Sequence, residues 1–536
     1  MRIRLGAVVA LLAAGAALAG GMQASADSLT VKTAQGKVRG KAINDGKVKA
    51  FLGLPYAAAP VGDLRWRAPE PAAKWKGVRD ATKFGQAAKW KGVRDATKFG
   101  HRCEQASVFQ DMVFQDEGPS EDCLYLNVYT PASATAKSKL PVMFWIHGGG
   151  FSSGSASEPR HNGDFLPVKG VVLVTINYRL GVFGFLATSE LAQEGGGHTG
   201  NYGLMDMIAA LQWVKDNIAK FGGDAANVTI FGESAGSMAV STLMASPMAQ
   251  GLFAKGIGES GSGLVATLGG GALADVEKAG DIWMEQAGAN SLKGLRGVTA
   301  EEVLKAAGKM GMTGFAPVID GKVLTEAVAE TYATGRQAHV PLLAGWNRDE
   351  GGMFAQKSMT TEQWKAQAER LFGERAVEFL KLYAGETNEQ ALRSAIDFGG
   401  DSFIAYGTWK WIEAHAKTGD APVYRYHLEL AAPPSKFHAE SSAFHSDDIE
   451  YVFGTLDTRP GCEWRPEDRK LSDEMMSYWT NFARTGDPNG PGLAEWPRYD
   501  KTGDVIHLDA TITAAPDTLR ARYEFLESVP VLPKAF

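Results

Sequence analysis

Val228-Thr229-Ile230-Phe231-Gly232-Glu233-Ser234-Ala235-Gly236 carries a β-branched, apolar run straight into a serine flanked by glycines, and Ala235 to Met244 (AGSMAVSTLM) continues without helix breakers past Gly236. A strand that ends on a serine and reopens as a helix is a nucleophile elbow. Glycines two before and two after the serine keep side chains away from the tight turn, so the hydroxyl stands clear of the sheet. The helix N-terminus lies beneath any negative charge that develops there, and its first amide can serve an oxyanion. The spacing alone decides little, because glycine fills 63 of 536 positions and G-x-S-x-G recurs at Gly150 to Gly154 around Ser152. Phe151-Ser152-Ser153-Gly154-Ser155 has neither a strand ending at it nor a helical pattern after it, and reads as loop.

Outward from the elbow, strand-like runs at Val142 to His147, Val171 to Asn177, Val340 to Gly345 and Val423 to Leu430 alternate with helix-like segments such as Leu204 to Phe221. This alternation predicts an α/β fold. Runs apolar at consecutive positions, such as Val171-Val172-Leu173-Val174, suit strands covered by helices on both faces, hence a mostly parallel central sheet. Ligands of such sheets collect at the carboxyl ends of the strands, where Ser234 sits.

The first 26 residues have the form of a secretory signal: Arg2 and Arg4, an apolar run from Leu5 to about Ala19, and Ala24-Ser25-Ala26 as a cleavage site before Asp27. The expected location is therefore secreted or periplasmic. No later segment supplies the roughly 18 uninterrupted apolar residues of a membrane helix, so no span is expected in the mature chain. Loss of Arg2 and Arg4 takes the net charge from −6 to −8, and charge is dispersed along the chain, which argues against a nucleic-acid partner. No Pro/Ser-rich or charge-rich linker divides residues 27–536, which read as a single domain. The sequence leaves the oligomeric state open.

Three cysteines, Cys103, Cys123 and Cys462, sit in a chain read as reaching an oxidising compartment. Two can pair, and Cys103 with Cys123 would close a short loop beside the N-terminal part of the core, a closure that typically stabilises by about 3 kcal/mol. No CxxC or HxxxH spacing accompanies them, so no metal is expected.

Ala72 to Gly85 (AAKWKGVRDATKFG) returns unchanged as Ala87 to Gly100, and Val108-Phe109-Gln110-Asp111 recurs at Val113 to Asp116. Solenoid units diverge and need about three copies to bury a core. Two identical copies that stop abruptly read instead as a recent duplication or a sequence anomaly. Trp75 and Trp90, or Phe84 and Phe99, cannot share one pocket, so one copy should be extruded.

A nucleophilic serine needs a base, an acid to orient that base, and donors for a tetrahedral oxyanion. Val142-Met143-Phe144-Trp145-Ile146 ends in His147-Gly148-Gly149-Gly150-Phe151, a loop whose glycines let backbone amides turn toward a substrate oxygen. No G-K-[ST] follows, which argues against a phosphate loop. Among the histidines and carboxylates, chemistry alone does not choose: His438 lies only seven residues before His445, and Asp349 adjoins Glu350.

Here the chain resembles the type-B carboxylesterase and cholinesterase family, over nearly its whole mature length. The resemblance rests on Phe51-Leu52-Gly53-Leu54-Pro55-Tyr56-Ala57 with Pro60-Val61-Gly62, on Ser120-Glu121-Asp122-Cys123-Leu124-Tyr125-Leu126-Asn127-Val128, and on Gly200 to Asp206 and Phe221-Gly222-Gly223-Asp224 leading to the elbow. Among members it looks most like the bacterial para-nitrobenzyl-esterase-like group. Met207 stands where glutamine is usual, and the repeated block occurs once in relatives.

The resemblance implies an α/β-hydrolase fold with large loop and helical insertions, and a serine carboxylesterase that hydrolyses small-molecule carboxylic esters without a cofactor. It implies Ser234 as nucleophile, Glu350 in Asn347-Arg348-Asp349-Glu350-Gly351 as acid, and His445 in Phe444-His445-Ser446-Asp447-Asp448-Ile449-Glu450-Tyr451-Val452-Phe453-Gly454 as base. Gly149, Gly150 and Ala235 would supply the oxyanion amides, Cys103 and Cys123 a disulfide, and Arg65 with Glu121 a buried ion pair, against a solvated surface pair as the rival. Two other readings stay open: a cholinesterase-like binding protein without activity, and an amidase, thioesterase or acyltransferase using the same three residues.

Overall fold

The computed structural model describes residues 29–74, 93–265, 267–269, 271–311, 314–354 and 358–530. The signal-like segment and the repeat's Trp75, Phe84 and Trp90 lie outside them. Among the described residues an 11-stranded sheet forms the spine. Its strands are β1 (Lys41–Ile43), β2 (Val48–Pro55), β3 (Tyr125–Pro131), β4 (Leu140–Ile146), β5 (Val172–Ile176), β6 (Gly223–Glu233), β7 (Lys255–Glu259), β8 (Leu342–Asn347), β9 (Val423–Leu428), β10 (Asp504–Leu508) and β11 (Thr513–Pro516). They lie in the order β11-β10-β9-β8-β7-β6-β4-β5-β3-β2-β1. From β5 across to β10 every neighbouring pair is parallel, while β1, β2, β3 and β11 pair antiparallel at the two margins. This is the α/β-hydrolase architecture expected from the sequence.

Successive side chains of a strand point to opposite faces, and here both faces are buried. Val142, Phe144 and Ile146 of β4 join one core with Val172, Val174, Ile230 and Leu342, under α1 (Tyr202–Asn217) and α2 (Ala235–Ala245). Met143 and Trp145 join Leu173, Phe231, Ile257 and Leu343 on the other face, under α3 (Asp448–Phe453) and α4 (Pro466–Thr485). That two-sided burial is why these strands read as unbroken apolar runs. The end of the segment read as helix, Ile218–Phe221, tightens into a 3₁₀ turn closed by Gly222 at φ 92°. Met207 is buried in the α1 face of the core.

The second copy of the repeat builds the sheet region before the disulfide. Val93–Asp95 pairs in parallel with Lys37–Arg39, the Arg94 Nη2 donates to the Gly53 carbonyl at 2.9 Å, Ala96 is fully buried, and Phe99 packs against the second core. Cys103 and Cys123 form a disulfide. Nearby, Arg65 grips Glu121 through two 2.6 Å hydrogen bonds and donates to the Val298 carbonyl at 2.7 Å. With its Arg65 side chain 7% exposed, this is the buried form of the pair rather than the surface one. Cys462 is half-buried, with its Sγ 3.6 Å from the Pro433 carbonyl.

Candidate active site

The elbow is built by close packing of backbone. Ser234 adopts φ 54° and ψ −121°, a left-handed conformation that costs a non-glycine residue energy and that persists only where its surroundings hold it. They do: the Ser234 N–H donates to the Glu259 carbonyl at 2.8 Å, and the Ser234 carbonyl accepts from Met238 N–H at 2.9 Å. A Cβ on Gly236 would meet the Ile146 carbonyl at 2.0 Å, and one on Gly232 would meet it at 2.5 Å. The two glycines of G-x-S-x-G are thus required because the turn rides on the end of β4.

That same end of β4 feeds the glycine loop. A Cβ on Gly148 would come within 3.1 Å of the Ser234 Cβ, which shows how tightly the loop abuts the elbow. Gly149, Gly150 and Phe151 all take positive φ, at 94°, 63° and 56°. His147 anchors the loop: its ring stacks on Tyr178 at 4.5 Å, its Nδ1 lies 2.9 Å from the Gly148 carbonyl, and the His147 carbonyl accepts from Tyr178 Oη–H at 2.8 Å. Burial pushes the His147 imidazole down to about 4, so it is neutral and structural. Ser152, the centre of the second G-x-S-x-G, lies in a turn, as read, with its hydroxyl on the Gly150 carbonyl.

Three residues distant in sequence meet at this edge of the sheet. His445 Nε2 lies 2.9 Å from Ser234 Oγ, and its Nδ1 lies 2.6 Å from Glu350 Oε2. Glu350, just past β8, is held through its other oxygen, which accepts from Ser260 Oγ–H at 2.5 Å and Asn347 N–H at 2.8 Å. The rivals point elsewhere. Asp349 accepts from Arg393, Arg348, Ser442 and the Ala443 N–H at 2.5–3.0 Å. Burial works to raise its carboxyl, but the two arginines outweigh it and hold it down at about 2. His438 stacks face to face on Phe444 at 3.6 Å.

Glu233, Ser260 and Asp448 belong to the site as well, and their roles are not legible from the sequence. Glu233 Oε1 comes within 3.3 Å of His445 Nε2, an ion-pair contact without an aligned hydrogen bond. Burial pushes the Glu233 carboxyl up to about 8 against the pull of His445. Burial also works against a charged His445 ring, yet Glu233 and Glu350 outweigh it and raise the imidazole to about 9. Behind Glu350, the fully buried Asp448 accepts from Tyr426 Oη–H at 2.8 Å and Asn347 Nδ2–H at 3.3 Å. Burial, with Glu350 close by, pushes Asp448 up to about 6. The sequence signal for Glu233 was its place inside the elbow. Ser260 follows a Gly-rich β7, which gave no pattern to read.

Such a constellation can pass a serine proton to an imidazole held by a carboxylate, the chemistry of nucleophilic catalysis. Residues 27–88 and 85–526 match the carboxylesterase family. The first stretch runs through the first repeat copy and the second begins just before the second copy. The chain is 36% identical to the para-nitrobenzyl esterase of Bacillus subtilis, over 91% of this chain and 96% of that one. It is 35% identical to the fumonisin B1 esterase of Sphingopyxis macrogoltabida, over 87% and 84%. Among solved structures, a para-nitrobenzyl esterase superimposes with a TM-score of 0.77 at 34% identity, covering 92% of this chain and 99% of that chain. A carboxylesterase from Geobacillus stearothermophilus gives the same four values.

Proposed function

The chain belongs to the carboxylesterase family and is a carboxylic ester hydrolase, and on that premise we propose that it works by a Ser234–His445–Glu350 triad through an acyl-enzyme. The observation that carries the proposal is the unbroken line from Ser234 Oγ through both ring nitrogens of His445 to Glu350. In its neutral form His445 keeps its proton on Nδ1, facing Glu350, and Nε2 accepts the Ser234 proton as Oγ attacks the ester carbonyl. The resulting imidazolium is stabilised by Glu350, and by Glu233 when that carboxyl is ionised. His445 then gives the proton to the departing alcohol, and water repeats the sequence on the acyl-enzyme.

The tetrahedral oxyanion falls to the amides of Gly149, Gly150 and Ala235. Support comes from the positive φ values of the two glycines and from the position of Ala235 as the first residue of α2, whose N-terminus favours negative charge. Each such donor is worth about 3 kcal/mol of transition-state stabilisation. Retention of all three triad residues favours an enzyme over a binding module.

Residues 27–536 act in this reading as one exported domain, secreted or periplasmic. The signal-like first 26 residues support export, as does a Cys103–Cys123 disulfide, a bond that persists in oxidising compartments. The mechanism is tested by rapid mixing with a para-nitrophenyl ester. An acyl-enzyme gives a burst of para-nitrophenol equal to the enzyme concentration whenever deacylation limits turnover. Trapping of the acyl group on any residue other than Ser234, read by peptide mass, refutes it.

A further inference from the structure

His427, Glu429 and His507 meet away from the triad, on the last two parallel strands of the sheet. His427 is the penultimate residue of β9 and stands directly opposite His507 of β10. Glu429 follows β9 by one residue, so the strand period of two returns its side chain to the face of His427. Both imidazoles aim the same atom at the same acceptor: His427 Nδ1 lies 2.9 Å and His507 Nδ1 2.7 Å from Glu429 Oε1. The three atoms lie within 4.8 Å of one another.

From this convergence of two imidazole nitrogens and a carboxylate oxygen, we infer that His427, Glu429 and His507 form a binding site for a divalent transition metal of the zinc type. Two nitrogens and one oxygen suit zinc and disfavour calcium or magnesium, which select all-oxygen sets. Ligands about 2.0–2.1 Å from a tetrahedral zinc lie about 3.3 Å apart, so the two N···O spans of 2.9 Å and 2.7 Å would each open by about half an ångström while the two nitrogens settle to the same spacing. A metal takes the lone pair of each Nδ1, so in the occupied site each ring carries its proton on Nε2. Entry is available, because the Glu429 side chain is 30% and the His507 side chain 20% exposed.

The site clamps β9 to β10. His427 also lines a cavity of about 360 Å³ that reaches Trp346, Asn347 and Glu350, so the clamp braces the strand beside the one that delivers Glu350. The sequence alone points to no metal, since no CxxC or HxxxH spacing accompanies its cysteines. The inference does not depend on the acyl-transfer reading, and its test needs no ester turnover.

The test uses the full chain without an affinity tag, stripped with a chelator and titrated with zinc chloride by calorimetry. The expected result is one saturable zinc per chain and a raised Tm. Cobalt(II) in its place should give the visible absorption of a tetrahedral N/O site. Glu429→Gln and His507→Ala should each weaken zinc binding by about tenfold or more. In the wild-type chain, zinc should protect His507 from diethyl pyrocarbonate, a readout that survives if the variants misfold. No saturable zinc binding, binding unchanged in both folded variants, or unprotected His507 would each show a hydrogen-bonded His–Glu–His trio only and overturn the inference.

Discussion

Glu233 Oε1 sits 3.3 Å from His445 Nε2, the same nitrogen that faces Ser234, so the ring is flanked by a second buried carboxylate besides Glu350. Its effect is electrostatic. Against burial, which lowers it, Glu233 and Glu350 in their charged forms raise the imidazole to about 9, so the protonated ring persists well above the range of a free imidazole.

Activity should therefore rise with pH well past neutrality, because in the proposed mechanism only neutral His445 accepts the serine proton. Glu233→Gln removes one carboxylate and lowers the His445 pKa. The acid limb of kcat/KM should then move to lower pH by about one pH unit, since an opposite charge at this range shifts a pKa by about 1–3. A pH–rate profile of wild type and variant measures it, and an unmoved limb contradicts the electrostatic role.

Adjacent carboxylates should give opposite phenotypes. Glu350→Gln leaves His445 without its acceptor, and kcat should fall roughly 10³–10⁴-fold with the fold intact. Asp349→Asn keeps activity within a few fold but weakens the pairing of Arg348 and Arg393, and because both arginines are partly exposed and Arg393 keeps Asp397, the cost in stability is about 1 kcal/mol or less. Steady-state kinetics beside thermal melts separate the two.

Gly236→Ala should damage both fold and rate, because its Cβ meets the Ile146 carbonyl at 2.0 Å. Overpacking of this kind costs about 1–3 kcal/mol, and the atoms met are all backbone of Ile146 and His147, which leaves little room to relax. A Tm equal to wild type would contradict the packing argument.

Deletion of residues 72–86 removes one copy of the repeat. Because Val93 to Gly100 already occupies the sheet and core, the shortened chain should keep its Tm and its activity, with a change in loop entropy of less than about 1 kcal/mol. Loss of folding would mean that the first copy carries contacts of its own.

The sequence made the parallel centre of the sheet legible because strands buried on both faces must be apolar at every position, as Val172 to Ile176 are. The marginal strands were not. Lys41–Ile43 is exposed or half-buried, and Thr513–Pro516 likewise, so neither shows a period. At the site, glycine spacing marked Ser234 through sterics, whereas His445 and Glu350 were chosen over His438 and Asp349 by resemblance rather than by chemistry. What separates them is tertiary: the arginines that claim Asp349, the ring that covers His438, and the Ser260 hydroxyl that fixes Glu350. Glu233 stood in the motif itself, but its pressure on His445 arises only when the chain closes.

The most direct measurement is labelling by an organophosphonate, followed by intact mass and peptide mapping, on wild type and Ser234→Ala together with para-nitrophenyl acetate turnover. The wild-type chain should take one label, on Ser234, and lose activity in proportion. Ser234→Ala should fold with an unchanged Tm, take no label and show no turnover above the uncatalysed rate. Stoichiometric labelling or sustained turnover by Ser234→Ala would place the nucleophile elsewhere and contradict the triad.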